Sequence, residues 1–224
     1  MAKLYIVPTP IGNLDDITLR AIKILGEVDL ILCEDTRRTK KLINHIGVKC
    51  QLQSHHKFNE HNQLQSVIHK INNGSNVALV SDAGTPGISD PGFLITRACL
   101  SEAIDVECLP GPTAFIPALL LSGFSSDKFI FEGFLPLKKG RKTRLLVLSQ
   151  EKRTMIFYES PHKLLKTLSE FKSIFGPSRR VSISRELTKL YEETLRGDME
   201  EIFKVFLSKK PKGEFVIVVE GKDK

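Results

Sequence analysis

Through the first half of the chain, short apolar runs alternate with helix-like stretches, and each run ends in a loop of Gly, Pro, Thr and Asp. Residues 3–7, 29–33, 77–81 and 106–109 are β-branched or Leu-rich and bounded by Pro, Gly, Asp or Asn, so they read as buried strands. Between them, Asp15 and Asp16 offer an N-cap ahead of Leu19, Ile22 and Leu25, which recur at helical spacing before Gly26. Residues 36–46 predict a second helix, closed by Gly47. Leu64, Val67, Ile68 and Ile71 form a third stripe, closed by Asn73-Gly74. This alternation predicts an α/β fold whose first sheet is mostly parallel, with helices on its faces.

The second half also mixes the two element types. Residues 128–134, 154–158, 180–184 and 215–219 read as strands, and residues 141–149, 163–175 and 199–207 as helices. Charge divides the chain unevenly. Residues 1–117 hold 11 Lys/Arg against 12 Asp/Glu and net −1, whereas residues 118–224 hold 22 against 14 and net +8. Three of the 13 Phe precede residue 118 and ten follow it. Two domains are therefore expected, 1–117 and 118–224, the second suited to an anionic partner.

No apolar stretch approaches the ~18 residues of a membrane span; the longest run, 114–121, is broken by Pro117. The N-terminal MAKLYIVPTP has one Lys, a five-residue apolar run and then Pro8, unlike a signal peptide. No membrane association and a cytoplasmic location are expected. Cys33, Cys50, Cys99 and Cys108 form no Cys-x-x-Cys pair and sit in core-like flanks, so reduced, buried thiols are expected. His45, His55, His56, His61 and His69 match no helical Zn pair and read as a solvated loop and helix face; no metal site is expected.

Ligands of open α/β sheets collect beyond the carboxyl ends of the strands. Those ends carry Pro8-Thr9-Pro10-Ile11-Gly12-Asn13-Leu14, Glu34-Asp35-Thr36-Arg37-Arg38, residues 81–92 and Pro110-Gly111-Pro112-Thr113-Ala114. The 81–92 segment, SDAGTPGISDPG, has three Gly and two Pro in twelve residues. Gly lets a ligand approach the main chain and Pro stiffens the loop. No Gly-x-Gly-x-x-Gly and no Walker A sequence occur, so a ligand other than a dinucleotide or a P-loop triphosphate is expected.

PTPIGNLDDIT near the N-terminus, CEDTR at 33–37, SDAGTPGISDPG at 81–92, PGPTA at 110–114, FEGFLP at 131–136 and YESPH at 158–162 occur in this order. Together they resemble the ribosomal RNA small-subunit methyltransferase I family of the tetrapyrrole-methylase (class III) superfamily, over residues 3–221. The resemblance implies two α/β domains with S-adenosylmethionine folded into the cleft between them, usually in a homodimer. It implies methyl transfer to the 2′-oxygen of a cytidine, expected at position 1402, in the decoding region of 16S RNA within the small ribosomal subunit. Carried over by motif, Asp82, Ala83, Gly84, Thr85 and Ser89 line the methionine and ribose side of the cofactor, and Thr113 and Ala114 continue that wall. Phe157, Tyr158 and the backbone near Gly213–Phe215, with Glu214 between, hold the adenine from the second domain, and Pro10 sits under the sulfonium. Many relatives continue beyond the last strand; this chain stops at Glu220-Gly221-Lys222-Asp223-Lys224, which shifts RNA contact onto its basic second half.

A ribose hydroxyl must lose its proton during attack, so a base is needed, along with cations that place phosphate. Glu34, Asp35, Glu159 and Glu186 are candidate acceptors; each reads equally well as an ion-pair partner of a neighbouring Arg. Arg37, Arg38, Arg185 and Lys189 are candidate phosphate contacts. Lys138, Lys139, Arg141, Lys142 and Arg144 form the densest basic cluster, attractive to RNA without regard to sequence. Two other readings stay open: methylation of a tetrapyrrole carbon, and a non-catalytic RNA-binding assembly factor that keeps a cofactor pocket.

Overall fold

The computed structural model describes residues 2–222 and divides the chain into two compact units, one ending at Thr113 and the next beginning at Ala114. The first unit runs β1 (Lys3–Ile6), α1 (Leu19–Glu27), β2 (Leu30–Cys33), α2 (Thr36–His45), β3 (Gln51–Ser54), α3 (Glu60–Asn72), β4 (Val77–Leu79), α4 (Phe93–Ser101) and β5 (Asp105–Cys108). Its sheet has the order β3-β2-β4-β1-β5 and every pair is parallel. A parallel sheet must be covered on both faces, and both are. Leu4, Leu30, Leu32 and Leu79 pack with Val67, Ile68, Ile71, Ile95 and Cys99 of α3 and α4 on one face. Val7, Ile31, Ala78 and Val80 pack with Ala21, Leu25 and Ile43 of α1 and α2 on the other. The three-residue β4 is wholly buried, because it is hydrogen-bonded on both edges and covered on both faces.

Three details differ from the sequence expectation. Thr18 caps α1, its hydroxyl accepting from the Ala21 amide at 3.0 Å, whereas Asp15 and Asp16 lie in a preceding 3-10 turn that Asn13 caps. Leu19 is therefore a first-turn residue on the solvent side, and α1 runs on through Gly26. Cys108 is exposed on β5, an edge strand, and Cys50 is half-buried; only Cys33 and Cys99 are core thiols.

The second unit runs α5 (Phe115–Ser122), β6 (Phe129–Phe134), α6 (Arg141–Leu148), β7 (Thr154–Glu159), α7 (Leu164–Phe175), β8 (Arg180–Arg185), β9 (Glu193–Asp198), α8 (Met199–Ser208) and β10 (Phe215–Val219). The expected 117/118 boundary falls inside α5. The sheet order is β6-β7-β10-β8-β9; only β6 and β7 are parallel. Period-two alternation splits its strands. Met155, Phe157, Phe215, Ile217 and Val219 face Leu145, Leu164, Phe171 and Ile202 of α6, α7 and α8. Each such buried side chain contributes about 1.5–3 kcal/mol. The opposite face packs against α5. Among the described residues no helix is long and apolar enough to cross a membrane.

His55, expected in a solvated loop, is 1% exposed, and neither ring nitrogen has a hydrogen-bond partner among the described residues. Its amide is tied to the Cys33 carbonyl at 2.7 Å, which pulls the residue under the end of β2. Burial, aided by His56, pushes its pKa below the ordinary 6.5. The folded state thus favours the neutral ring. This stability is whole above pH 6.5 and is lost as pH falls toward the depressed folded value. His55→Leu removes a buried polar group with no partner to orphan, so at pH 7.5 its stability should lie within about 1 kcal/mol of wild type. Thermal unfolding from pH 7.5 to 5 should show wild type losing more stability than the variant; parallel curves would contradict the assignment.

Candidate cofactor and methyl-transfer site

The loops at the carboxyl edge of the first sheet are bonded to one another. Thr9 and Gly84 exchange two backbone hydrogen bonds, both 2.9 Å, which joins the loop after β1 to the loop after β4. The Thr9 hydroxyl also donates to the Ser81 carbonyl at 3.1 Å, and Thr85 Oγ1 donates to the Pro112 carbonyl at 2.9 Å, which ties in the loop after β5. The loop after β2 joins through the Asp35 amide, which donates to Asp82 Oδ1 at 3.0 Å, and through Arg38, 3.5 Å from Asp82 Oδ2. Two glycines permit this closeness. Gly84 has φ +81°, a conformation L side chains rarely adopt, and a Cβ on Gly111 would lie 2.6 Å from Pro8 Cβ. Pro8, Thr9 and Pro10 are buried beneath the assembly, while Asp82, Ala83 and Thr85 are half-buried at its surface and Ser89, held at φ +67°, is exposed.

Three carboxylates gather here. Asp35 caps α2 and takes Arg37 in a two-point ion pair, and the Arg37 side-chain and main-chain hydrogen bonds hold its pKa at about 2. Glu34 behaves oppositely: burial first, and then the negative charge of Asp82, push its carboxyl up. Among the described residues no hydrogen bond fixes that carboxylate. Arg37 lines a groove of about 630 Å³ with Lys40, Asn44, Lys49 and Leu52. Glu34, Asp35 and Asp82 suit a cationic small molecule with an ammonium or sulfonium centre, and the buried prolines give it an apolar floor. That donor set fits S-adenosylmethionine.

The second unit places its expected residues differently. Phe157 and Phe215 are 1% and 2% exposed; their rings pack against Phe171 and Phe206, and both residues are paired along two strand edges. Both rings are core, so the Phe157 ring is not open to adenine as expected, whereas the contact expected near Phe215 is through the backbone, which burial of the ring leaves unaffected. Tyr158 is half-buried and Glu214 is exposed. Glu159 is buried; its Oε1 accepts from the Ser160 amide at 2.8 Å and its Oε2 from the Thr167 hydroxyl at 2.6 Å. Glu186 accepts from Lys189 and the Glu214 amide. Although burial pushes its carboxyl up, these bonds and the nearby Arg185 hold it below the usual range.

Ion pairing also sorts the cations. Arg141 is buried, donating to Glu170 at 2.7 Å, Thr167 at 2.7 Å and the Pro136 carbonyl at 3.2 Å, so it anchors its loop and is not a surface RNA contact as expected. Arg144 is paired with Glu132, Lys189 with Glu186 and Glu214, and Arg185 donates to the Lys212 carbonyl at 2.7 Å. Lys138, Lys139 and Lys142 are exposed and carry no ion pair among the described residues. No group of His, Cys, Asp and Glu among those residues could hold a metal.

The sequence model of the tetrapyrrole (corrin/porphyrin) methylases matches residues 3–202. A ribosomal RNA small subunit methyltransferase I of Thermotoga maritima is 48% identical, covering 100% of both chains. This chain belongs to that family. The protein of the same name from Escherichia coli O157:H7 is 47% identical over 98% of this chain and 78% of its own. Among solved structures, the methyltransferase CobJ superposes with a TM-score of 0.74 at 17% identity, over 99% of this chain and 95% of that one. Uroporphyrin-III C-methyl transferase from Thermus thermophilus, complexed with S-adenosyl homocysteine, gives 0.67 at 17%, over 97% of each. These two show the shared fold.

Arg141→Ala should destabilise the second unit by about 3 kcal/mol, because it strands Glu170 and Thr167 beside an emptied site. Arg144→Ala, at a pair 44% exposed on the arginine side, should cost under about 1 kcal/mol. Urea unfolding, read as a midpoint shift at unchanged slope, separates the two.

Proposed function

We propose that this chain transfers the methyl group of S-adenosylmethionine to the 2′-oxygen of a cytidine, position 1402, in the decoding region of 16S RNA. The observation that carries this reading is 48% identity, end to end, with a ribosomal RNA small subunit methyltransferase I. The bonded loop cage with its three carboxylates supports a cationic donor. When bound, that donor supplies an activated methyl on a sulfonium leaving group. A homodimer acting on the small ribosomal subunit in the cytoplasm belongs to the same reading.

The chain's own residues have two tasks. The first is alignment of the donor, to which loops stiffened by the Thr9–Gly84 bridge and by proline contribute little motion. The second is removal of the ribose proton. Of the four candidate carboxylates, Asp35 is held at about 2 by Arg37, and Glu159 and Glu186 are bound into networks that use their lone pairs. Glu34 alone combines a raised proton affinity with an uncommitted carboxylate. It is the proton acceptor this reading favours. Asp82, bridging Asp35 and Arg38, holds the strand ends together and sets the negative field Glu34 feels.

Small subunits lacking the modification, incubated with the protein and methyl-labelled S-adenosylmethionine, should gain label on one ribose; label on a base, or none, would refute the assignment. Glu34→Gln should lower single-turnover transfer at saturating donor by about 10²-fold or more, well beyond any loss of donor affinity read by calorimetry. Since the carboxylate is the active form and its pKa is raised from 4.5, the wild-type rate should fall as pH drops through that raised value, and the variant should lose this limb.

A further inference from the structure

We propose that the loop joining β6 to α6 is a docking site for single-stranded RNA, in which the exposed Phe134 ring stacks on an unpaired base while Lys138, Lys139 and Lys142 hold the flanking phosphates. The inference rests on the RNA-methylating reading above and deepens it.

The geometry starts with a β-bulge. Phe131 pairs with Ile156, but Gly133 pairs with Phe157 and Phe134 with Tyr158, so Glu132 is an extra residue in β6. Gly133 has φ +58°, as such a bulge requires. The extra residue reverses the alternation, which puts Phe131 and Phe134 on one face with Tyr158. Their rings form a row. Phe115 stacks on Phe131 at 4.7 Å, Phe131 meets Tyr158 edge-on at 5.0 Å, and Tyr158 meets Phe134 at 5.6 Å. Phe134 ends the row and is 58% exposed, with Leu137 beside it at 63%. A ring held by its neighbour yet open to solvent is already oriented for stacking, and base–aromatic stacking needs no particular base.

Charge selects the partner. The acidic groups around this loop are spent: Glu132 is paired with Arg144, Glu170 with Arg141, and Glu159 is buried in hydrogen bonds. What remains at the surface is three uncompensated lysines within five residues, next to an exposed aromatic. Buried Arg141, reaching the Pro136 carbonyl, fixes the loop that carries them, so little ordering is needed on binding. A neutral protein surface would complement Phe134 and Leu137 but not the lysines; a duplex would complement the lysines but offers no open base face.

The test is fluorescence anisotropy with a labelled single-stranded RNA of about 12 nucleotides and a blunt RNA duplex of equal length, across a salt series. Calorimetric uptake of S-adenosylmethionine serves as the control for folding and for the donor site. Phe134→Ala should weaken single-strand binding about tenfold and leave duplex binding and the salt slope unchanged, while Phe134→Trp should restore wild-type affinity. Replacing Lys138, Lys139 and Lys142 together with Gln should lower the single-strand salt slope by about 2. Unchanged single-strand affinity in Phe134→Ala, or equal loss on both RNAs, overturns the stacking dock. So does an effect of Phe134→Ala confined to oligomeric mass in sedimentation, which would assign the ring to a second copy. If wild type takes up the donor but binds neither RNA, the dock and the RNA half of the proposed function both fall and methyl transfer stands. If it binds neither donor nor RNA, the proposed function itself falls.

Discussion

The first unit depends on the paired backbone hydrogen bonds between Thr9 and Gly84. Strands of a parallel sheet leave their carboxyl ends side by side, but nothing in the sheet itself makes the loops beyond those ends meet. The bridge does so, and the hydroxyls of Thr9 and Thr85 extend it to the Ser81 and Pro112 carbonyls. Because these contacts are made by backbone groups and two short threonine side chains, they lose little side-chain entropy on forming. Cationic binding chemistry can then be supplied by a few carboxylates projecting from a frame that does not itself need to move.

The second unit solves a different problem. Its sheet is mixed and carries three helices on one face and α5 on the other, and its loops are held by side chains. Arg141 is the main example, spreading its donors over Glu170, Thr167 and a backbone carbonyl. Thr167 passes the connection on to Glu159. One buried guanidinium thereby joins the end of β7, the middle of α7 and the loop before α6. Arg144, Arg153, Lys172, Arg185, Lys189, Lys204 and Lys209 also sit in ion pairs, whereas the cluster of Lys138, Lys139 and Lys142 does not.

Much of this was legible in the sequence, and the failures have physical causes. The interior strands of both sheets are apolar on both faces or alternate cleanly, so their composition announced them. β3 (Gln-Leu-Gln-Ser) and β9 (Glu-Thr-Leu-Arg-Gly-Asp) are edge strands with solvated sides, and they show no apolar pattern to read. His55 looked like one more surface histidine because local polarity cannot reveal that its amide is drawn in by the Cys33 carbonyl. The cofactor loops were visible as Gly-Pro-Thr clusters, whereas the bonds among them join residues up to 75 positions apart. Sequence density made Arg141 resemble its lysine neighbours; only burial separates the anchor from the contacts. For Phe157, motif membership had implied ligand contact where strand alternation turns the ring into the core.

The bulge at Glu132 has a consequence for how this segment can drift over generations. Side chains along it can be exchanged one for another with graded effects. Loss of Glu132 would be graded as well: the strand would alternate regularly, with Phe131 and Phe134 two apart on one face and still opposite Ile156 and Tyr158. Removal of a further residue would instead set Phe134 opposite Phe157 and turn its ring to the core face, so the segment carries one spare position and no more.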